Sequence, residues 1–184
     1  MESAAAKERL FRITNGIVSA SASIVAVIAL LTALYQAKLA RDQAKASIWP
    51  YLIQGNSSND GYARIVQNVG LGPALIRGFE VTVDGHIVKN WKEAAESMHV
   101  AIRLDGGKST AVQPGVVLPT NTLTELLQFS DPASIRLFRS RLEHLDTWIC
   151  YCSLYGDCWT ERGSDIEPKP VKACHDAPER RFHP

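Results

Sequence analysis

With 184 residues, 46% of them apolar and 21% charged, the chain has room for one domain of ordinary size plus an accessory element, and its composition argues against wholesale disorder. A net charge of +1 leaves no electrostatic footprint for nucleic acid, which would show as a strongly basic face.

In chain order, a short tail (1–12) carrying Lys7, Arg9 and Arg12 precedes a run without formal charge over residues 13–37, "ITNGIVSASASIVAVIALLTALYQA". A helix needs about 20 apolar residues to cross a ~30 Å hydrocarbon core, and this run suffices. Ser19, Ser21 and Ser23 dilute its first half, but their hydroxyls can bond back to the helix backbone. A cleaved signal peptide is disfavoured, because Leu34-Tyr35-Gln36 is a poor substitute for a small-x-small cleavage site and "QAKLARDQAKAS" continues as strong helix formers. The expectation is a retained membrane helix with a basic juxtamembrane extension over 13–48, where Lys38, Arg41 and Lys45 could meet anionic headgroups. Gly16 and Ala20, like Ser19 and Ser23, have the small-residue spacing that permits weak self-association in a bilayer.

Pro50 ends the helix, and residues 49–162 read as a β domain. "WPYLIQG" and "YARIVQNV" are strands, and "GLGPA" is a tight corner in which Gly70, Gly72 and Pro73 call for unusual backbone angles. Over 75–83, Arg77, Phe79, Val81 and Val83 share one face by alternation. Asp84-Gly85 is a two-residue hairpin turn, with "HIVKNW" returning from it. A short helix, "KEAAESM", precedes strand-like segments at 100–104, 110–113 and 116–118, and "TLTELLQF" sets Leu123, Leu127 and Phe129 on one side. Ser130 or Asp131 caps a second helix with Pro132 in its first turn. Its Arg136, Arg139 and Arg141 read as a solvated face. A hairpin over 147–154 returns through Trp159, and the Pro-rich tail (163–184) reads as irregular. Seven to nine short strands without βαβ alternation predict a mainly β fold: an antiparallel sandwich of the Ig-like, Greek-key type with one or two short helices.

The order of an N-terminal membrane helix, a basic "KLARDQAKASIWPYL" exit, an "NVGLGPA" corner, a "VLPTNTLTELL" strand and a terminal "ICYCSLYGDCW" hairpin resembles a broad group of uncharacterised bacterial single-pass membrane proteins. The resemblance implies architecture and supplies no mechanism.

The Gly-x-Gly of the corner lacks the helix N-terminus that a phosphate loop needs. No nucleophile elbow, Walker loop or His-Glu-x-x-His spacing occurs, so the chain reads as a non-enzyme without a cofactor. A site assembled from dispersed residues such as His99, Asp105 and His144 is the rival, making a hydrolase or transfer enzyme. Three of the four cysteines, Cys150, Cys152 and Cys158, lie within nine residues, and Cys174 follows with His175 beside it. Zinc on Cys150, Cys152, Cys158, Cys174 and His175 departs from the usual C-x2-C knuckles. If the hairpin loop spans Ser153 to Asp157, Cys152 lies opposite Cys158 near disulfide distance, whereas a shorter loop breaks this pairing, and Cys158–Cys174 is the other simple disulfide. Free cysteines packed among Trp148, Leu154 and Trp159 are the third reading, and a metal or redox sensor is a further functional class. Three basic residues on each flank of the membrane helix leave the positive-inside rule evenly balanced. The basic helix exit and the resemblance point to a domain on the cytoplasmic side of the cell (inner) membrane, where all four cysteines stay thiols. The function expected is therefore a membrane-anchored, non-catalytic sandwich that binds a protein partner or supports assembly of a membrane complex.

Overall fold

The computed structural model describes residues 2–58, 61–100, 112–175 and 177–183. It divides into two compact units, Met1–Ala46 and Ser47–Pro184. The first belongs to helix α1 (Glu2–Ser47), which is apolar on every side across residues 13–37. Ile17, Val25, Ile28 and Leu31 all stand more than half exposed. Ser21 donates to the Val18 carbonyl, Ser23 to that of Ser19 and Thr32 to that of Ile28, so the hydroxyls are satisfied within the helix. This is a helix near the N-terminus long and apolar enough to cross a membrane, as an anchor or a signal sequence would be.

The second unit is mainly β, with nine strands in two antiparallel sheets among the described residues. One sheet has the order β1-β2-β6, from β1 (Leu52–Ser57), β2 (Tyr62–Asn68) and β6 (Leu123–Phe129). The other runs β4-β3-β7-β8-β9, from β3 (Ala74–Val83), β4 (His86–Val88), β7 (Leu145–Cys152), β8 (Cys158–Arg162) and β9 (Lys169–Val171). β5 (Val117–Leu118) pairs the start of β3, while β4 pairs its end. One apolar core draws on both sheets, with Leu52, Val66 and Leu127 from the first and Ile76, Val81 and Ile149 from the second. Helix α2 (Trp91–Ser97), capped by Asn90, and helix α3 (Pro132–Arg139), capped by Asp131, add Trp91, Ala94 and Phe138 to it.

Two bulges explain where simple alternation fails. A register shift between Ile76 and Gly78 resets the phase of β3. Ile76, not Arg77, joins Phe79, Val81 and Val83 in the core, and Arg77 is exposed. A second shift, between Arg64 and Ile65 of β2, leaves Leu126 of β6 without a ladder partner, so Leu126 and Leu127 are both buried while Leu123 is exposed. The return strand after Asp84-Gly85 is only three residues long, because Asn90 caps α2 and Trp91 enters the helix. Asp84 and Gly85 both take positive φ, 50° and 79°, as this turn requires. The segment at 100–104 and the start of that at 110–113 lie outside the described residues beyond Val100. Residues 112 and 113 form no strand.

The tail is not irregular throughout. β9 extends the second sheet, and Phe182 enters the core at 2% exposure, with its ring 4.9 Å from Trp91 and 5.6 Å from Phe79. The "GLGPA" corner also differs in cause from the expectation. Neither Gly70 nor Gly72 has a positive φ. They are needed because a Cβ at Gly70 would lie 2.2 Å from Tyr51 N, and one at Gly72 would lie 1.9 Å from Ile48 O. The corner's N–H groups are already used: Gly70 donates to Asn68 Oδ1 (3.0 Å), and Leu71 and Gly72 donate to the Trp49 carbonyl (2.9 and 3.3 Å). None of these three donors is left for an anion.

Candidate functional site

The β7–β8 hairpin carries both groups of chemistry-bearing residues, and the pleat separates them. Leu145, Thr147, Ile149 and Tyr151 alternate toward the first sheet, and their ladder neighbours Trp159 and Glu161 follow them inward. Cys150 and Cys152 point the other way, as does Cys158, the ladder partner of Cys152.

On the inner face a polar network joins the sheets. β1 grades from buried Leu52 through half-buried Gln54 to exposed Asn56 on one side of the strand. Gln54 donates to the Glu161 carboxylate and, at 3.1 Å, to the Thr147 carbonyl, and it accepts from the Thr147 hydroxyl. Arg64 of β2 donates to Thr147 Oγ1 at 2.9 Å and to Asn56 Oδ1 at 3.2 Å, and Tyr62 OH donates to the same Asn56 oxygen at 2.7 Å. Gly163 makes room for the guanidinium, since a Cβ there would sit 2.1 Å from Arg64 Nη2. Arg64 Nε is buried without a partner among the described residues. Tyr151 OH accepts from the Leu52 N–H at 3.3 Å and ties the same two sheets nearer the core.

Burial dominates the electrostatics here. It lowers the Arg64 guanidinium from its usual range, pushes the Tyr62 phenol up to about 12 and raises the Tyr151 phenol further. It also pushes the Glu161 carboxyl, 4% exposed, up to about 7, against the Gln54 hydrogen bond and the Arg64 charge. Its ordinary value is 4.5, so the folded state holds the proton more tightly than the unfolded chain. The stability Glu161 contributes is therefore complete below about pH 4.5 and is lost as pH rises through about 7, on the order of 2–3 kcal/mol. Urea unfolding should show the Ser47–Pro184 unit weakening from pH 4.5 to pH 8, and Glu161→Gln should remove most of that decline. An unchanged decline in the variant would assign it to other groups.

On the outer face, Cys152 is bonded to Cys158 and Cys150 to Cys174, and no described cysteine is free. The first bond closes the hairpin turn, where Ser153 N–H donates to the Asp157 carbonyl (2.8 Å) and Gly156 takes φ 83°. The second fixes the tail to β7, so the partner of Cys174 is Cys150 and not Cys158. Leu154 stands 60% exposed in the turn and Trp159 stacks on Tyr151 across the sheet, so neither packs round the sulfurs as a free-cysteine cluster would require. The sulfurs of Cys152, Cys158 and Cys174 lie within 4.8 Å of one another, but as cystines they offer no thiolate to a metal ion. His175 is exposed and lines a cavity of about 310 Å³ with Cys150, Cys174, Trp148, Arg162 and Arg180. The two arginines are engaged, Arg162 with Asp146 and Arg180 with Glu80.

Of the dispersed residues of the rival reading, His99 is exposed just after α2, with its N–H donating to the Glu96 carbonyl at 3.0 Å, and it lines none of the cavities described here. His144 meets Asp84 Oδ1 at 2.6 Å on the surface and lines none of the cavities described here, and Asp105 lies outside the described residues. The inner network escaped the sequence reading, although one signal for it is present: on the strand phase set by Trp159, Glu161 falls on the buried face. No protein-family model matches the chain, and comparison with curated proteins and with solved structures finds no match.

Proposed function

We propose that α1 is a retained single-pass anchor and that the β unit it carries is a non-catalytic domain that binds a protein partner through its exposed strand edges. The observation that carries the reading is a span-length apolar helix joined to a separate, compact β unit. Among the described residues, the cavities of about 10, 140 and 190 Å³ fall below the roughly 300–1,000 Å³ of small-molecule sites and the one of about 310 Å³ only reaches the lower end of that range, which favours recognition over a surface. Among the described residues β1 and β6 each have a ladder on one edge only, and both strands expose apolar side chains, Ile53 at 41% and Leu123 at 48%.

The strand order supports the finer fold reading. β1-β2-β6 against β4-β3-β7-β8 corresponds to strands A, B, E and C′, C, F, G of an Ig-like sandwich. The two cystines favour an oxidising compartment, so we place the domain outside the inner membrane of a bacterial cell, against the cytoplasmic expectation, with Lys7, Arg9 and Arg12 inside.

A photo-crosslinking residue at Ile53 or Leu123 of the full chain in membranes should give discrete adducts that Arg136, on α3, does not. No excess over Arg136 would overturn the edge-binding reading. In the same cells an impermeant maleimide should label the protein only after reduction. Labelling that instead requires opening the inner membrane would return the domain to the cytoplasm.

A further inference from the structure

Cys152 Sγ and Cys174 Sγ, which belong to different cystines, are 3.8 Å apart. Neither carries a hydrogen, so this is a van der Waals contact between two disulfides. Accessibility is unequal: Cys150, Cys152 and Cys158 are 0%, 6% and 7% exposed, while Cys174 is half-buried and opens on the 310 Å³ cavity. His175 lines that cavity too and supplies an imidazole there. A structural staple needs neither an open cavity at one sulfur nor a second cystine in contact with it.

We propose that the two cystines form one thiol–disulfide exchange site, which takes two electrons from a dithiol at Cys174 and passes them to the Cys152–Cys158 pair. A thiolate of the dithiol attacks Cys174 Sγ, and Cys150 leaves as thiolate. The second thiol of the substrate attacks its own mixed disulfide, so the substrate departs oxidised and Cys174 becomes a thiolate. That thiolate attacks Cys152 Sγ across the 3.8 Å contact, and Cys158 leaves. The Cys150 thiolate then attacks Cys174, restoring Cys150–Cys174 and releasing Cys152. The substrate's two protons end on Cys152 and Cys158, and the net reaction is reduction of one cystine by one dithiol. This site does not depend on the edge-binding reading above.

The diagnostic species is a Cys152–Cys174 bond, absent from the resting protein. Chymotrypsin resolves it, because cleavage after Tyr151 separates Cys150 from Cys152 and cleavage after Tyr155 separates both from Cys158. Full-length protein in detergent is treated with one equivalent of dithiothreitol, acid-quenched, blocked with N-ethylmaleimide and digested. In parallel, Cys158→Ser is blocked without any reductant. The site predicts a Cys152–Cys174 linked peptide in the first sample. In the variant it predicts label at Cys150 as well as Cys152, in at least roughly one molecule in ten, the share left by a tenfold equilibrium constant. Native linkages alone in both samples, with the variant labelled only at Cys152, would overturn the proposal. If circular dichroism shows that the variant has lost its β structure, the wild-type sample decides: the linked peptide supports the site and its absence sinks it.

Discussion

Gly72→Ala is expected to destabilise the β unit by on the order of 4–5 kcal/mol, close to the whole stability of a modest domain. The added Cβ would lie 1.9 Å from Ile48 O and 2.4 Å from Ile48 C. Both are backbone atoms, so no side-chain rotation relieves the clash. The corner has to lift away from the segment that leads into β1. That movement breaks the bonds from Val69 N to Tyr51 O (2.8 Å) and from Leu71 N to Trp49 O (2.9 Å), each contributing about 1 kcal/mol. It also pulls on Asn68, a wholly buried side chain whose amide donates to the Gly72 and Leu118 carbonyls at 2.9 Å each, and whose oxygen accepts from Tyr51 and Gly70. Overpacking adds a further ~1–3 kcal/mol. Gly85→Ala is the control. Gly85 has φ 79° with nothing within 4 Å of an added Cβ, so only left-handed strain of about 1–2 kcal/mol applies. Urea midpoints for a chain starting at Ser47 should separate the two variants clearly. Equal losses would show that backbone angle, not close approach, explains both glycines.

This corner shows what kind of information the sequence held. The residues that punctuate the chain were readable because they act locally: the uncharged run of α1, the Asp84-Gly85 turn, the Asp131-Pro132 helix start. The position of Cys152 opposite Cys158 was readable only on condition of a five-residue loop over 153–157, and the ladder meets that condition. The cause of the corner was not, because Gly70 and Gly72 answer to residues 48–51, about twenty positions earlier. The bulge at Ile76/Gly78 was hidden too, because alternation fits equally well in either phase until a neighbouring strand fixes it. The inner network lies furthest from local legibility. Gln54 and Glu161 are 107 residues apart, and their meeting depends on how two sheets stack.

Cystine loss should be unequal, with the long-range bond mattering more. In the chain-entropy account, a bond spanning 24 residues restricts the unfolded chain more than one spanning 6. The two are worth about 3.5 and about 2 kcal/mol respectively. The folded state adds to the difference. Cys152 and Cys158 are already held opposite each other by the β7–β8 ladder, so Cys152→Ala with Cys158→Ala leaves the hairpin registered. Cys150→Ala with Cys174→Ala leaves residues 172–175 and 177–183 to non-covalent contacts, among them those of Phe182 with Trp91 and Phe79, the Arg180–Glu80 pair, and the bond from His183 N to Lys89 O. Amide exchange in 172–183 should therefore rise well above that in β8 in the second variant and not in the first. A larger loss of urea midpoint in the Cys152/Cys158 variant would mean that the hairpin, and not the tail, is where the cystines hold this fold.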